Sequence, residues 1–140
     1  MTDFNDFNAK IIEEFRANKG IVGGPFEGAD LLLLHHTGAR TGAQRVTPLV
    51  YQRAGGGYAV FASKAGAPEN PAWYHNLVAN PDTTIEVGEE KIQVRARIAE
   101  PAERDAIYEK QKQRAPQFAD YEAKAAGIRT IPVVVLDPVN

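Results

Sequence analysis

The spacing of apolar positions changes period several times along the chain, and each change marks a new element. Phe4, Phe7, Ile11 and Phe15 recur at helical spacing with Ile12 beside them, so residues 3–20 read as an opening amphipathic helix. Thr2 or Asp3 is placed to cap it and Gly20 to end it. Its aromatic stripe suits docking on a core, and equally a movable lid over an apolar site. The glycine-rich GIVGGPFEGA is a loop. DLLLLHHT has a continuous apolar run, the pattern of a strand covered on both faces. QRVTPLVYQR is a second strand, and the short GARTG between them makes a hairpin. Pro48 cannot donate to a ladder, so it implies a sheet edge or a bulge there. YAVFASK, after the AGGGY turn, is a third strand.

NPAWYHNLVANPD reads as a short helix, with Asn70 as cap, Pro71 at the first helical position and Asn80-Pro81 as its end. TTIEVGEEKIQVRARIAE alternates apolar and polar residues around Gly88, which gives two half-exposed strands. EPAERDAIYEKQKQRAP is a helix opened by Pro101, QFADYEAKAAG a second short helix or ordered loop, and RTIPVVVLDP the closing strand. About six strands interrupted unevenly by helices predict a small closed or half-open barrel of the α+β class, not a doubly wound sheet. With no repeat or linker, residues 1–140 read as one domain.

Composition narrows the chemistry. Charged residues are 24 % and hydrophobic ones 44 %, ordinary for a globular domain. A net charge of -2 tells against a nucleic-acid partner. The absence of cysteine removes disulfides, thiolate nucleophiles and sulfur-ligated metals. His35 and His36 are adjacent on a strand, so they point to opposite faces, and with His75 as the only other histidine no metal site is expected. The polar N-terminus lacks the look of a secretory leader and no apolar run would span a bilayer, so a cytoplasmic protein is expected, with contact between the opening helix and a membrane surface left open. No Ser-His-Asp set or carboxylate pair can be argued from spacing, which shifts any demanding chemistry onto an organic cofactor.

Two stretches stand out. In the hairpin, Arg40, Thr41, Gly42 and Arg45 form either a solvated turn or a cationic cradle for an anion such as a phosphodiester. In ASKAGAPENPAWYHN, Ser63 and Lys64 lead through small residues to a helix start and to Trp73 and Tyr74, which are either core or the wall of a flat ligand.

TGARTGAQRVTPLVY, ASKAGAPENPAWYHNLVANP and RTIPVVVLDP, in that order from about Leu31 to the C-terminus, resemble the deazaflavin-dependent nitroreductase family, whose better-known members reduce quinones and activate nitroimidazole prodrugs. The resemblance implies a split β-barrel of the kind found in FMN-binding, pyridoxamine-phosphate-oxidase-like proteins, and the 8-hydroxy-5-deazaflavin coenzyme F420. It implies that Arg40, Thr41, Gly42 and Arg45 bind the coenzyme's phosphate and acidic tail, with Val46, Thr47 and Pro48 beside it. Ser63, Lys64, Ala65 and Gly66 would line the ring and ribityl chain, and Ala72 and Trp73 would close one side. Phe118, Tyr121 and Trp73 would face a small-molecule hydride acceptor, with Ser63 or Tyr121 orienting it. Ala115 and Phe118 stand where relatives carry tyrosine, which tells against nitroimidazole activation and not against coenzyme binding. The implied enzyme passes hydride to a quinone-like, enone or nitroaromatic acceptor, as a monomer. The competing readings are an FMN-dependent reductase on the same barrel and a non-catalytic binder of a coenzyme or lipid-like ligand.

Overall fold

The computed structural model describes residues 4–23 and 29–139. Six antiparallel strands close a barrel: β1 (Leu31–Thr37), β2 (Gln44–Ala54), β3 (Gly57–Phe61), β4 (Asp82–Val87), β5 (Glu90–Ile98) and β6 (Val133–Pro138), in the spatial order β1-β2-β3-β6-β5-β4. Four helices flank it: α1 (Phe4–Ala17), α2 (Ala72–Ala79), α3 (Pro101–Arg114) and α4 (Gln117–Ala125). QFADYEAKAAG, readable as helix or loop, is thus helical, and Pro101 opens α3 as expected.

The barrel closes unevenly. Strand β2 pairs with β1 from Gln44 to Val50 and with β3 from Tyr51 to Ala54. Along residues 44–50 its far edge therefore meets no other strand among the described residues. Pro48 lies in this bare stretch, paired with Leu33 of β1 on its other side, the edge placement its missing N–H demands. The third strand is shorter than its apolar run suggests. It stops at Phe61, and Ser63 to Gly66 leave the sheet as a tight 3-10 turn beside the gap.

Strand β1 is buried on both faces. Leu32 and Leu34 point into the barrel with Val60, Ile85, Val134 and Leu136, whereas Leu31 and Leu33 point outward to Ile11 and Phe15 of α1. Phe15 is 1 % exposed, so the described part of the helical stripe belongs to the core. The contacts of Phe4 and Phe7 and the capping role of Thr2 or Asp3 lie outside the described residues. Arg16 adds a paired bond to the Glu86 carboxylate of β4, Nε at 3.1 Å and Nη2 at 2.7 Å, and His35 Nε2 meets the same carboxylate at 2.7 Å. Gly20 ends the helical run with φ +94, and a Cβ there would stand 2.9 Å from Gly88 Cα, so the β4–β5 turn leaves room for glycine alone.

A third cluster packs α3 and α4 onto the outer face of β3 and β6, with Phe61, Tyr108, Phe118, Ile131 and Val133 at its centre. Helix α2 plugs one end of the barrel with Trp73 and Leu77. Its cap differs from the sequence reading. Pro71 occupies the N-cap with no side-chain bond, and Asn70 is drawn away to accept a hydrogen bond from Arg129 Nη1 at 2.7 Å. A charged, multiply bonded donor outcompetes a capping amide. No described helix is long and apolar enough to cross a membrane.

Candidate functional site

A cavity of about 590 Å³ opens in the gap beside the bare edge of β2. Thr47, Pro48, Leu49 and Val50 form one wall. Ser63, Lys64 and Ala65 of the tight turn face them, and Ala72 and Trp73 close one end. Phe118 and Tyr121 of α4 close the other, and Asn8 of α1 sits at the rim. Residues far apart in the chain, singled out from two separate sequence stretches and from α4, thus line one space. A second cavity of about 260 Å³ shares Asn8 and Thr47 with the first and is lined further by Arg45 and Val46. Thr47 borders both the apolar chamber and this second, Arg45-lined channel.

One cation lines that second cavity and another lies beyond it. Arg45 is exposed near the base of the hairpin, and Arg40, Thr41 and Gly42 form its exposed tip, outside both cavities. No described acidic side chain pairs with Arg40 or Arg45. The turn itself offers fewer backbone donors than its glycines suggest. The Gly38 and Gly42 amides bond within the turn, the Ala43 amide donates to Thr41 Oγ1 at 3.2 Å, and the Ala39 amide donates to Asn76 Oδ1 at 2.9 Å. Within 38–43 the amides of Arg40 and Thr41 remain without a described partner, so the anion capacity of the hairpin rests mainly on its two guanidinium groups.

Lys64 is the third cation, and it is already engaged: its Nζ lies 2.7 Å from Glu69 Oε1, with both groups exposed. Such a pair exchanges readily for a ligand anion. Lys64 and Ala65 adopt φ of 45 and 54, the left-handed region that side chains disfavour by about 1 kcal/mol each. Gly66 follows with φ +83, and there a Cβ would press on Tyr121 O and Lys124 Cβ, both at 3.0 Å. Gly66 is buried against α4, is not among the residues lining the cavity, and fits the turn to the helix.

Three supporting residues, Arg129, Asn76 and His36, are given no site role by the sequence reading, although Arg129 and Asn76 lie within the quoted motifs. Arg129, just before β6, donates to Ala62 O, Ser63 O, Ala67 O and Asn70 Oδ1, holding the strained turn in place. Asn76 on α2 binds both the Ala39 amide and, at 2.9 Å, His36 Nδ1. His36 in turn meets Thr47 Oγ1 at 2.8 Å. Burial, reinforced by the charge of Arg45, pushes the His36 pKa down to about 4, so the ring is neutral near pH 7. His35 points the other way, to Glu86 and Arg16, so the two histidines serve different sites.

The α4 side of the cavity is aromatic. The Phe118 ring sits edge-on to Phe61 at 5.2 Å and to Tyr121 at 5.3 Å, and Tyr108 Oη donates to Phe118 O at 2.7 Å. Ser63 and Tyr121 line the cavity, and neither hydroxyl has a described hydrogen-bond partner. Ala115 lies beyond Phe118, in an adjoining groove with Val50 and Tyr51.

The sequence model of the F420H(2)-dependent quinone reductase family matches residues 9–138. The chain is similar to an F420H(2)-dependent quinone reductase of Mycobacterium tuberculosis (strain ATCC 25618 / H37Rv), 41 % identical over 126 residues that cover 87 % of this chain and 83 % of that protein. Among solved structures it is similar to an F420-H2 dependent reductase, FDR-A, with a TM-score of 0.69 and 34 % identity over 77 % of this chain and 94 % of that one. Another solved relative, a domain-swapped dimer, matches with a TM-score of 0.70 and 30 % identity over 96 % of this chain and all (100 %) of the other. That relative's dimeric state runs against the monomer expected from the sequence.

Proposed function

The chain belongs to the F420H(2)-dependent quinone reductase family, and from that premise we propose that it binds the deazaflavin in the barrel gap and passes hydride from its reduced form to a quinone-like acceptor. The observation that carries this reading is Thr47, which borders both an apolar chamber of about 590 Å³ and a second cavity lined by Arg45, with Arg40 exposed farther out at the hairpin tip. A tricyclic ring with a phosphate and a glutamate tail has the same division. FMN ends at its phosphate and would leave the outer cations without a partner.

When bound, the reduced coenzyme supplies a hydride, and the acceptor needs in addition one proton at oxygen. The chain's own part is to bind, orient and exclude water. Trp73 and the β2 edge hold one flat face, while the strained turn at Lys64 and Ala65 brings backbone close to the chamber. Phe118 keeps the acceptor side dry. Ser63 and Tyr121 offer hydroxyl donors toward the acceptor oxygen, and neither is committed to another described group. No strong base is needed for this division of labour. Asn8 of α1 lines the chamber, while Ile11 and Phe15 anchor the helix to the barrel.

Paired fluorescence titrations with oxidised deazaflavin and with FMN test the reading. Tight deazaflavin binding and weak FMN binding are expected, followed by turnover of benzoquinone or naphthoquinone with the reduced coenzyme. Preference for FMN, or coenzyme binding with no turnover of any quinone, would overturn it.

A further inference from the structure

One chain of hydrogen bonds runs beneath the hairpin and joins its tip to the chamber. The Ala39 amide lies 2.9 Å from Asn76 Oδ1, Asn76 Nδ2 lies 2.9 Å from His36 Nδ1, and His36 Nε2 lies 2.8 Å from Thr47 Oγ1. Asn76 and His36 are both buried, so water does not substitute for any link.

The first link determines the direction of all the others. A backbone N–H only donates, so the oxygen of Asn76 must face Ala39. Its amide nitrogen, which also only donates, must then face His36. Nδ1 therefore accepts and carries no proton, and the neutral ring holds its single proton on Nε2. That proton points at Thr47 Oγ1. The opposite tautomer would set an Nδ1–H against the Asn76 amide hydrogens at 2.9 Å, two donors facing each other. With its oxygen accepting from His36, the Thr47 hydroxyl cannot donate back to the ring, and it donates to no described residue. Thr47 lines both the main chamber and the Arg45 channel.

We propose that His36, held as its Nε2–H tautomer by Asn76, orients the Thr47 hydroxyl as a hydrogen-bond donor into the coenzyme site, where it meets an acceptor oxygen of the bound deazaflavin between ring and charged tail. His36 and Asn76 are positioning residues, and Thr47 is the contact. The proposal rests on the functional reading above for the identity of the ligand; the tautomer belongs to the free protein.

Nitrogen-edited spectra of the free protein labelled with 15N-histidine test the tautomer. A pyridine-type signal for Nδ1 and a pyrrole-type signal for Nε2 are expected, assigned to His36 by their loss in His36→Gln. The reverse pattern overturns the proposal. Fluorescence titration with oxidised deazaflavin tests the contact. Thr47→Val should weaken binding about tenfold, the worth of one hydrogen bond to a ligand, and Thr47→Ser should keep it. His36→Leu should weaken it by a similar factor with no further loss in the His36→Leu/Thr47→Val double variant. His36→Gln, whose amide nitrogen reaches the Nε2 position, should restore most of it. Unaltered affinity in Thr47→Val, or losses that multiply in the double variant, would sink the relay. A wild-type protein that ignores deazaflavin yet shows the Nε2–H tautomer would instead refute the functional reading.

Discussion

Arg129 and Asn70 stand 59 residues apart in sequence and meet at 2.7 Å, in the contact that removes Asn70 from its capping role. The same guanidinium binds the carbonyls of Ala62, Ser63 and Ala67, so one side chain holds both ends of the strained turn that faces the chamber. Arg129→Met should therefore loosen the coenzyme at least tenfold and lower stability by about 1–3 kcal/mol. Arg129→Lys should rescue little, because an ammonium cannot span this planar set of acceptors. Deazaflavin titration and thermal unfolding check both statements.

Arg45 and Arg40 should differ in what they recognise. Arg45 borders the channel next to Thr47, whereas Arg40 lies farther out at the tip. Arg45→Ala should weaken binding of any phosphate-bearing deazaflavin about tenfold. Arg40→Ala should weaken only coenzyme with a glutamate tail, and less at high salt. Titrations with full-length and tail-free coenzyme at two ionic strengths read this directly. Equal losses with both ligands in both variants would contradict the assignment.

Tyr121 should act on the acceptor and not on coenzyme affinity. Tyr121→Phe keeps the edge-on packing against Phe118 and removes the hydroxyl. We expect kcat/KM for a quinone to fall roughly tenfold, within the range of a single positioned donor, with the coenzyme Kd unchanged. Steady-state kinetics beside a binding titration separates the two effects.

Glu86 ties α1 to the barrel, and its titration should report on that docking. Hydrogen bonds from Arg16, then from His35, overcome burial and pull its pKa down to about 2 from the model-compound value of 4.5. A carboxylate depressed in the folded state stabilises above its unfolded pKa, and this contribution is lost as pH falls from about 4.5 toward about 2. Arg16→Gln should raise the Glu86 pKa toward the ordinary range, move the acid-unfolding midpoint upward, and cost about 1–2 kcal/mol at neutral pH. Circular dichroism across pH and a carboxylate-resolved NMR titration provide the check.

Much of this architecture is legible in residue order. The double-sided burial of β1 follows from four consecutive leucines, the edge position of Pro48 from its missing N–H, and the start of α3 from Pro101. The unread parts are long-range. Nothing near Asn70 announces that a guanidinium beyond α4 will claim it. Nothing in WYHN marks Asn76 as the residue that binds a hairpin amide across the barrel end. Glycines suggested a turn rich in free donors, yet side chains of Thr41 and Asn76 consume two of them. Gly66, expected beside the ligand, also serves the fit between turn and α4. In each case local pattern gives the element, while competition among distant polar groups decides what the individual side chain does.

A barrel ordinarily leaves no strand unpaired, and that closure keeps β proteins from adhering to one another. Here residues 44–50 stay bare on one side. Pro48 offers a passing strand no donor, which is a partial guard. A flat ring lying in the gap would sit along the same edge that a foreign strand would have to occupy. Filling the site and shielding the edge would then be a single event.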